Sequence, residues 1–332
     1  MKRSFRGGRL RWEFWPIWAV YLPLVPYLIY LALKHRSATV FLAANPGMDG
    51  GGFVGESKSE ILRQLDPAAV APFALVENAA QALLWIESFP AVLKPDVGER
   101  GKGVAVIRNE DDVHNYFAQT AGKSIVQRYV AGVEFGIFYC RMPDEAKGRI
   151  LSITDKRFPE VIGDGTRTLA ELILSDPRAM CLASVYMRQS KRPLNDTPRA
   201  GERVQLVEIG SHSRGSIFLD GMTCHTPELE DRIDQLSKSH PGFYFGRYDV
   251  RAPSEERIAE FTVLELNGVS AEATHIYDPA VSLREAYRVL AQQWRLAFEI
   301  GAQNRLRGAV VPPAAEVWQS LRSGEVIRAQ EA

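Results

Sequence analysis

The sequence predicts an α+β protein built on antiparallel sheets, and three observations carry that prediction. An apolar strand at residues 91–95 delivers a lysine into a glycine loop, and a second apolar strand returns through residue 107. Residues 134–142 and 149–155 alternate in polarity on either side of Pro143-Asp144, as antiparallel strands do. Helical spacing appears where Leu229, Ile233 and Leu236 recur within residues 227–240, and again along residues 281–301, with Trp294 and Phe298 on the apolar side. A chain of 332 residues is long enough for a large core and two or three lobes.

Composition narrows the function classes. With 40 basic and 40 acidic residues the formal net charge is zero, which gives no global case for a polyanionic partner such as nucleic acid. Cys140, Cys181 and Cys224 form no CxxC pair and read as reduced thiols of a cytosolic protein. His225 beside Cys224 lacks spaced partner ligands, so it reads as an ordinary loop residue. The sequence shows no internal repeat and no low-complexity run.

The first element is an apolar segment. Lys2, Arg3, Arg6, Arg9 and Arg11 precede residues 14–33, which contain no charged residue. About 20 apolar residues suffice to span a bilayer. Trp12, Trp15, Trp18, Tyr21, Tyr27 and Tyr30 suit a membrane interface. Pro16, Pro23 and Pro26 argue against one straight helix. Lys34-His35-Arg36 follows in place of a small-residue cleavage site, so a cleaved signal peptide is not expected. The other reading is an apolar hairpin buried against the body or against a partner subunit.

Residues 39–44 read as a buried strand and run into a glycine-rich loop. A Walker A motif fails there, because Gly55 is followed by Glu56-Ser57-Lys58. A helix over 58–65, a strand over 72–76 and a helix over 78–87 follow. Pro95 ends the lysine strand because it cannot donate to a ladder. Gly98, Gly101 and Gly103 permit positive φ, and the loop suits a flap whose amides and Arg100 or Lys102 close on phosphates. Asn109 with Glu110, Asp111 and Asp112 caps a helix through Ala118. Residues 124–129 form a strand and then a hinge. Residues 175–201 read as a basic helical insertion, equally well as a solvated face, and 204–209 as a strand. Asp249 ends one strand, and Glu265 and Asn267 share one face of its neighbour because the side-chain period is two. Three hard oxygen ligands so placed suit Mg2+. Ser270, Glu272 and His275 lie in the loop that follows.

Four of these stretches, in order and spacing, resemble the ATP-grasp superfamily: the lysine strand with its glycine loop, residues 125–137, Gly246-Arg247-Tyr248-Asp249, and Leu264-Glu265-Leu266-Asn267. The resemblance runs over residues 57–303, nearest the D-alanine–D-alanine ligases and the ligase part of cyanophycin synthetase. It implies an ATP-grasp fold, two α+β lobes gripping ATP between antiparallel sheets. It implies that Lys58, Lys94, Gly98, Gly101, Lys102 and Gly103 meet the nucleotide phosphates. It sets Gln127, Arg128, Tyr129 and Val130 against adenine, with Gln127 standing where an acid is usual, and Glu134 at the ribose. The Gly163-Asp164-Gly165 turn and the helix after it look like the cyanophycin synthetase branch, where basic residues before the turn face phosphate, here Lys156 and Arg157. His212, Arg214 and Ser270 would face the acceptor, although the usual leading Asn of that loop is absent. Arg247 would stabilise developing negative charge.

The activity so implied is ATP- and Mg2+-dependent ligation of a carboxylate to an amine or thiol through an acyl phosphate. Alternatives are a kinase-like phosphotransferase and a membrane-attached nucleotide-binding scaffold. The expected partners are small or peptide-like carboxylates and amines, with no nucleic acid, and a homo-oligomer stays open. The expected segments are 1–37 membrane-associating, 38–76 lead-in, 77–130 small lobe, 131–304 large lobe and 305–332 tail. ATP chemistry requires a cytosolic body, and the stronger basic cluster also prefers the cytosol. Residues 14–33 are therefore expected to form a re-entrant hairpin bent at 23–26, attaching the protein to the cytoplasmic side of a membrane without crossing it.

Overall fold

The structure, a computed structural model, describes residues 12–98, 101–210, 212, 215–323 and 327. Lys2, Arg3, Arg6, Arg9, Arg11, Arg100 and Arg214 lie outside the described residues.

Helix α1 (Ile17–Tyr21), a 3-10 turn (Leu22–Leu24) and α2 (Val25–Lys34) follow one another without reversal. Both junctions are helical, with Leu22 at φ −53°, ψ −43° and Val25 at φ −52°, ψ −46°. The expected hairpin is therefore corrected to one continuous helical stretch. Pro23 and Pro26 each fall within the first two positions of a new helical segment, where a missing N–H costs little. Val20, Leu24 and Leu31 are buried on the body, whereas Trp18, Leu22, Val25, Ile29 and Leu33 are exposed.

Helix α3 (Lys58–Arg63) is capped by the Ser57 hydroxyl. The first sheet takes β1 (Phe73–Val76), β2 (Ala91–Pro95), β3 (Ala105–Ile107) and β4 (Ser124–Arg128) in the order β1-β4-β2-β3. Its edge strand β1 comes from the segment that the sequence places in the lead-in. Helices α4 (Ala79–Trp85) and α5 (Glu110–Gln119) cover one face, burying Ala82, Val113 and Tyr116 against Leu93, Ile107 and Val126.

The second sheet takes β5 (Val133–Cys140), β6 (Arg149–Arg157) and, further along the chain, β9 (Ile217–Asp220), β10 (Phe245–Ala252) and β11 (Thr262–Asn267), in the order β11-β10-β5-β6-β9. Between them, β7 (Glu160–Ile162), α6 (Leu169–Ser175), α7 (Ala183–Gln189) and β8 (Arg203–Gln205) form a satellite unit with its own core of Val161, Leu172, Ile173 and Tyr186. Its last strand is shorter than the one expected over 204–209. All pairings within these sheets are antiparallel.

Helix α8 (Pro227–Ser239) packs Leu229, Ile233 and Leu236 on one face of the second sheet, against Phe135, Ile137, Tyr139, Tyr248 and Val250. The opposite face divides along its length. Phe138, Cys140 and Phe245 join the core under the long helix α9 (Leu283–Leu306), which α10 (Ala314–Ser323) follows. The rest of that face carries charge and looks into the cleft.

The expected strand at 39–44 is instead a 3-10 helix, Val40–Ala44, buried on α9. An apolar run of this length does not distinguish the two. Asn304 satisfies its last carbonyls, donating to Ala43 at 2.9 Å and Ala44 at 3.3 Å.

Candidate active site

A cavity of about 930 Å³ opens between the two sheets. Its floor is the charged face of the second sheet, and register explains which side chains stand there. Opposed residues of an antiparallel pair share a face. Arg247 opposes Asn267, and Asp249 opposes Glu265 on β11 and Gly136 on β5. One step along, Arg251, Glu134, Lys156 and Phe218 form a row across four strands. Gly136 keeps the middle of the floor open, since a Cβ there would lie 3.1 Å from Arg247 Cδ and 3.4 Å from Asp249 Oδ1.

These charges are interlocked. Lys156 Nζ lies 3.0 Å from Asp249 Oδ1 and 3.2 Å from Glu134 Oε1. Arg251 Nη2 holds Glu134 Oε2 at 3.1 Å. Arg247 grips Asp249 with two bonds, at 2.9 and 3.2 Å. Burial alone would raise the Asp249 carboxyl, but the charges of Arg247 and Lys156 overcome it and hold the group at about 2. Burial likewise works against the Arg247 charge, and Asp249 more than offsets it, so its pKa is raised. Glu134, expected at the ribose, stands here as counter-ion to Lys156 and Arg251.

The expected metal set is brought together: Asp249, Glu265 and Asn267 stand on one face of two paired strands. Among the described residues no group of three His, Cys, Asp or Glu forms a metal cluster, in keeping with a set whose third member is an asparagine. Two carboxylates and a carboxamide are hard oxygen donors that fit Mg2+. Lys58, 3.9 Å from Glu265, and the partners of Asp249 neutralise the pair.

The facing wall comes from the first sheet. Register breaks on β10–β11, from Asp249↔Glu265 to Val250↔Val263, and leaves Leu264 bulged. Lys94 Nζ donates to the Leu264 carbonyl at 2.9 Å, and Gln127 Nε2 reaches it at 3.3 Å. Gln127 also donates to Ala71, so a bond to a purine amine would fall to its Oε1. Burial pushes the Lys94 ammonium down, opposed by Glu265 and reinforced by Lys58. Lys58 Nζ donates to the Gly98 carbonyl at the base of the flap and lies 3.4 Å from that of Asp96. Gly98, Gly101 and Lys102 line the cavity, as do Arg128, Tyr129 and Val130. Gly103 stands behind it at φ 74°, pressed on Pro95, where only glycine fits.

Arg157 is not part of the site. It follows Lys156 on a strand and so points to the opposite side of the sheet. There it pairs with Asp155 and Glu255, 43% exposed, away from the cavity lining. The phosphate role expected for it is corrected on that ground.

The far end of the cleft holds residues that sequence reasoning missed. Glu13 pairs with Arg178 through two 3.0 Å bonds across 165 residues of chain. Burial raises its carboxyl, but His212, whose Nε2 lies 3.8 Å from Oε2, and the two bonds from Arg178 outweigh that and lower its pKa. His212 stacks on Tyr277 at 4.7 Å and on Phe14 at 5.8 Å. Glu272 accepts from Tyr21 at 2.5 Å and from Tyr277 at 2.9 Å, and its carbonyl takes Arg247 at 3.0 Å. Ser270 lines the same region. Arg251 was legible in principle, two residues beyond Asp249 on one strand. Glu13 and Tyr21 had no local signal.

No family model matches the chain. Cyanophycin synthetases of Trichormus variabilis and Nostoc sp. are each 21% identical over 241 residues, covering 65% of this chain and 23% of theirs. The chain thus spans about a quarter of the length of the curated relatives it matches. Among solved structures it resembles the VanG D-Ala:D-Ser ligase of Enterococcus faecalis (12% identity, 75% of this chain, 61% of that one, TM-score 0.42). It also resembles a bifunctional glutathione synthetase of Pasteurella multocida (19%, 71% and 35%, TM-score 0.37). A third is the D-alanine–D-alanine ligase of Bacillus anthracis (13%, 75% and 67%, TM-score 0.38). These likenesses are distant, and the reading of the site rests on its own geometry.

Proposed function

We propose that the protein is an ATP- and Mg2+-dependent ligase that joins a carboxylate to an amine through an acyl phosphate. The observation that carries this reading is one cleft in which Lys94, Lys156 and Arg247 converge on the face that holds Asp249 and Glu265. Asp249, Glu265 and Asn267 would hold Mg2+, which would supply charge neutralisation to the triphosphate. Lys58, Lys94 and Lys156 bind and orient the triphosphate under the glycine flap. A carboxylate oxygen attacks the γ-phosphorus as its bond to the bridging oxygen of ADP breaks. The amine then attacks the acyl carbon and inorganic phosphate leaves, with Arg247 stabilising the charge that develops. Positioning and electrostatics suffice for both steps, and no protein nucleophile is needed.

We also place the chain on the cytoplasmic face of a membrane. Residues Ile17–Lys34 are long and apolar enough to cross one. Their buried stripe on the protein body favours lying along the surface with the exposed stripe in the lipid boundary. In vesicle flotation, Leu22→Glu with Ile29→Glu should release the protein, and unchanged flotation would refute this placement.

The test of the ligase reading is oxygen transfer. With an 18O-labelled carboxylate pool, amines and MgATP, each phosphate released should carry one 18O. ADP formed with a phosphorylated hydroxyl product and no free phosphate would make the protein a phosphotransferase. ATP binding without ADP formation would make it a scaffold.

A further inference from the structure

The cleft changes character along its length. From the hinge at Gln127 it passes the charged floor to Arg247, whose guanidinium lies 3.0 Å from the Glu272 carbonyl. The Glu272 carboxylate meets Tyr21 at 2.5 Å. Besides Glu13 and His212, the far end has an apolar wall drawn from four parts of the chain: Trp15, Ile17 and Trp18, then Phe53, Trp294 and Leu321. Phe41 ties two of these together, edge-on to Phe53 and to Trp294 at 5.3 Å each.

This lining continues outside. Trp18 faces the cavity yet is 68% exposed, and Leu321 is 50% exposed. Trp18 also heads the exposed stripe Trp18, Leu22, Val25, Ile29 and Leu33, spaced four, three, four and four residues apart. That spacing keeps them on one side of a helix. A small polar substrate would leave this wall facing water, whereas contiguous exposed apolar surface marks a site that something covers.

We propose that the substrate entering at this end is an amphiphile. Its reacting head, a carboxylate or an amine, reaches past Glu272 towards Arg247. Its hydrocarbon chain lies on Ile17, Trp18 and Leu321 and leaves along the exposed stripe towards the lipid boundary. The nature of the reacting head rests on the ligase reading; the chain-binding wall stands on its own geometry.

The test is equilibrium binding to the full chain without vesicles, using 11-(dansylamino)undecanoic acid as probe and displacing it with octanoate, decanoate, dodecanoate and the matching alkylamines. Trinitrophenyl-ATP is titrated in parallel. Affinity should rise about fourfold per added methylene until the wall is covered. Trp18→Ser and Leu321→Ser should each weaken the twelve-carbon ligand at least tenfold and leave trinitrophenyl-ATP within twofold. Leu33→Ser, at the far end of the stripe, should leave both within twofold. No binding, or no dependence on chain length, overturns the proposal. So does a loss in Leu33→Ser equal to that in Trp18→Ser, which would put the chain on the outer surface. Failure of the nucleotide reading looks different: alkyl ligands bind and trinitrophenyl-ATP does not.

Discussion

At the hinge end of the cleft, Glu134, Lys156, Arg247, Asp249 and Arg251 hold one another in a network in which each charge has its partner on a neighbouring strand or two residues away. At the other end, Trp15, Ile17 and Trp18 of the N-terminal stretch make a wall with no charge among them. The first region is cooperative, because removing one member leaves an uncompensated buried charge. The second is a sum of nearly independent apolar areas. The same cavity therefore has a charged floor that tolerates little substitution and an apolar wall that tolerates much.

Asp249→Asn should break this contrast most sharply. It leaves Lys156 and Arg247 without their shared anion, so unfolding in urea should show a loss of about 3–5 kcal/mol, and ADP formation should fall at least a hundredfold. Lys156→Met on that background should recover stability but not turnover; simple additivity would show that the network is not interlocked. A carboxyl held at about 2 in the folded state contributes stability that is present above its unfolded value near 4. That contribution is lost as pH falls from about 4 to 2, in the wild type and not in Asp249→Asn.

Lys94→Met should separate function from stability. The ammonium is buried and its pKa is lowered, so its charge costs folding free energy at neutral pH. The variant should melt at a higher temperature, while ATP affinity drops at least tenfold. A lower melting temperature with unchanged ATP affinity would make Lys94 structural. The smallest effect is expected from Arg157→Ala. Its pair with Glu255 is a surface pair contributing about 0–1 kcal/mol, its pair with the buried Asp155 contributes more, and ADP formation should stay within twofold.

What could be read in the sequence follows from these two constructions. The period of two on strands placed Asp249, Glu265 and Asn267 together, and the pairing of Arg247 with Asn267 confirms the register. The same period should have excluded Arg157, which the resemblance drew in beside Lys156. The lysine strand and its flap were legible because Pro95 and the glycines punctuate them. The run at 39–44 was not, because uniform apolarity carries no period. Nor was the role of Glu13 and Tyr21, whose partners Arg178 and Glu272 lie 165 and 251 residues away. The prolines of the N-terminal stretch suggested a reversal, whereas at first-turn positions they start helices rather than end them.

The bulged carbonyl of Leu264 is a seam between the two sheets. It is held at 2.9 and 3.3 Å by Lys94 and Gln127, two donors from adjacent strands of the opposite sheet. Beside it the Ala71 amide donates to the Val263 carbonyl at 2.9 Å, so two consecutive carbonyls of β11 are taken by the first sheet and the segment leading into it. Lys94 is thereby fixed by protein groups alone, and its ammonium needs no repositioning to meet a triphosphate.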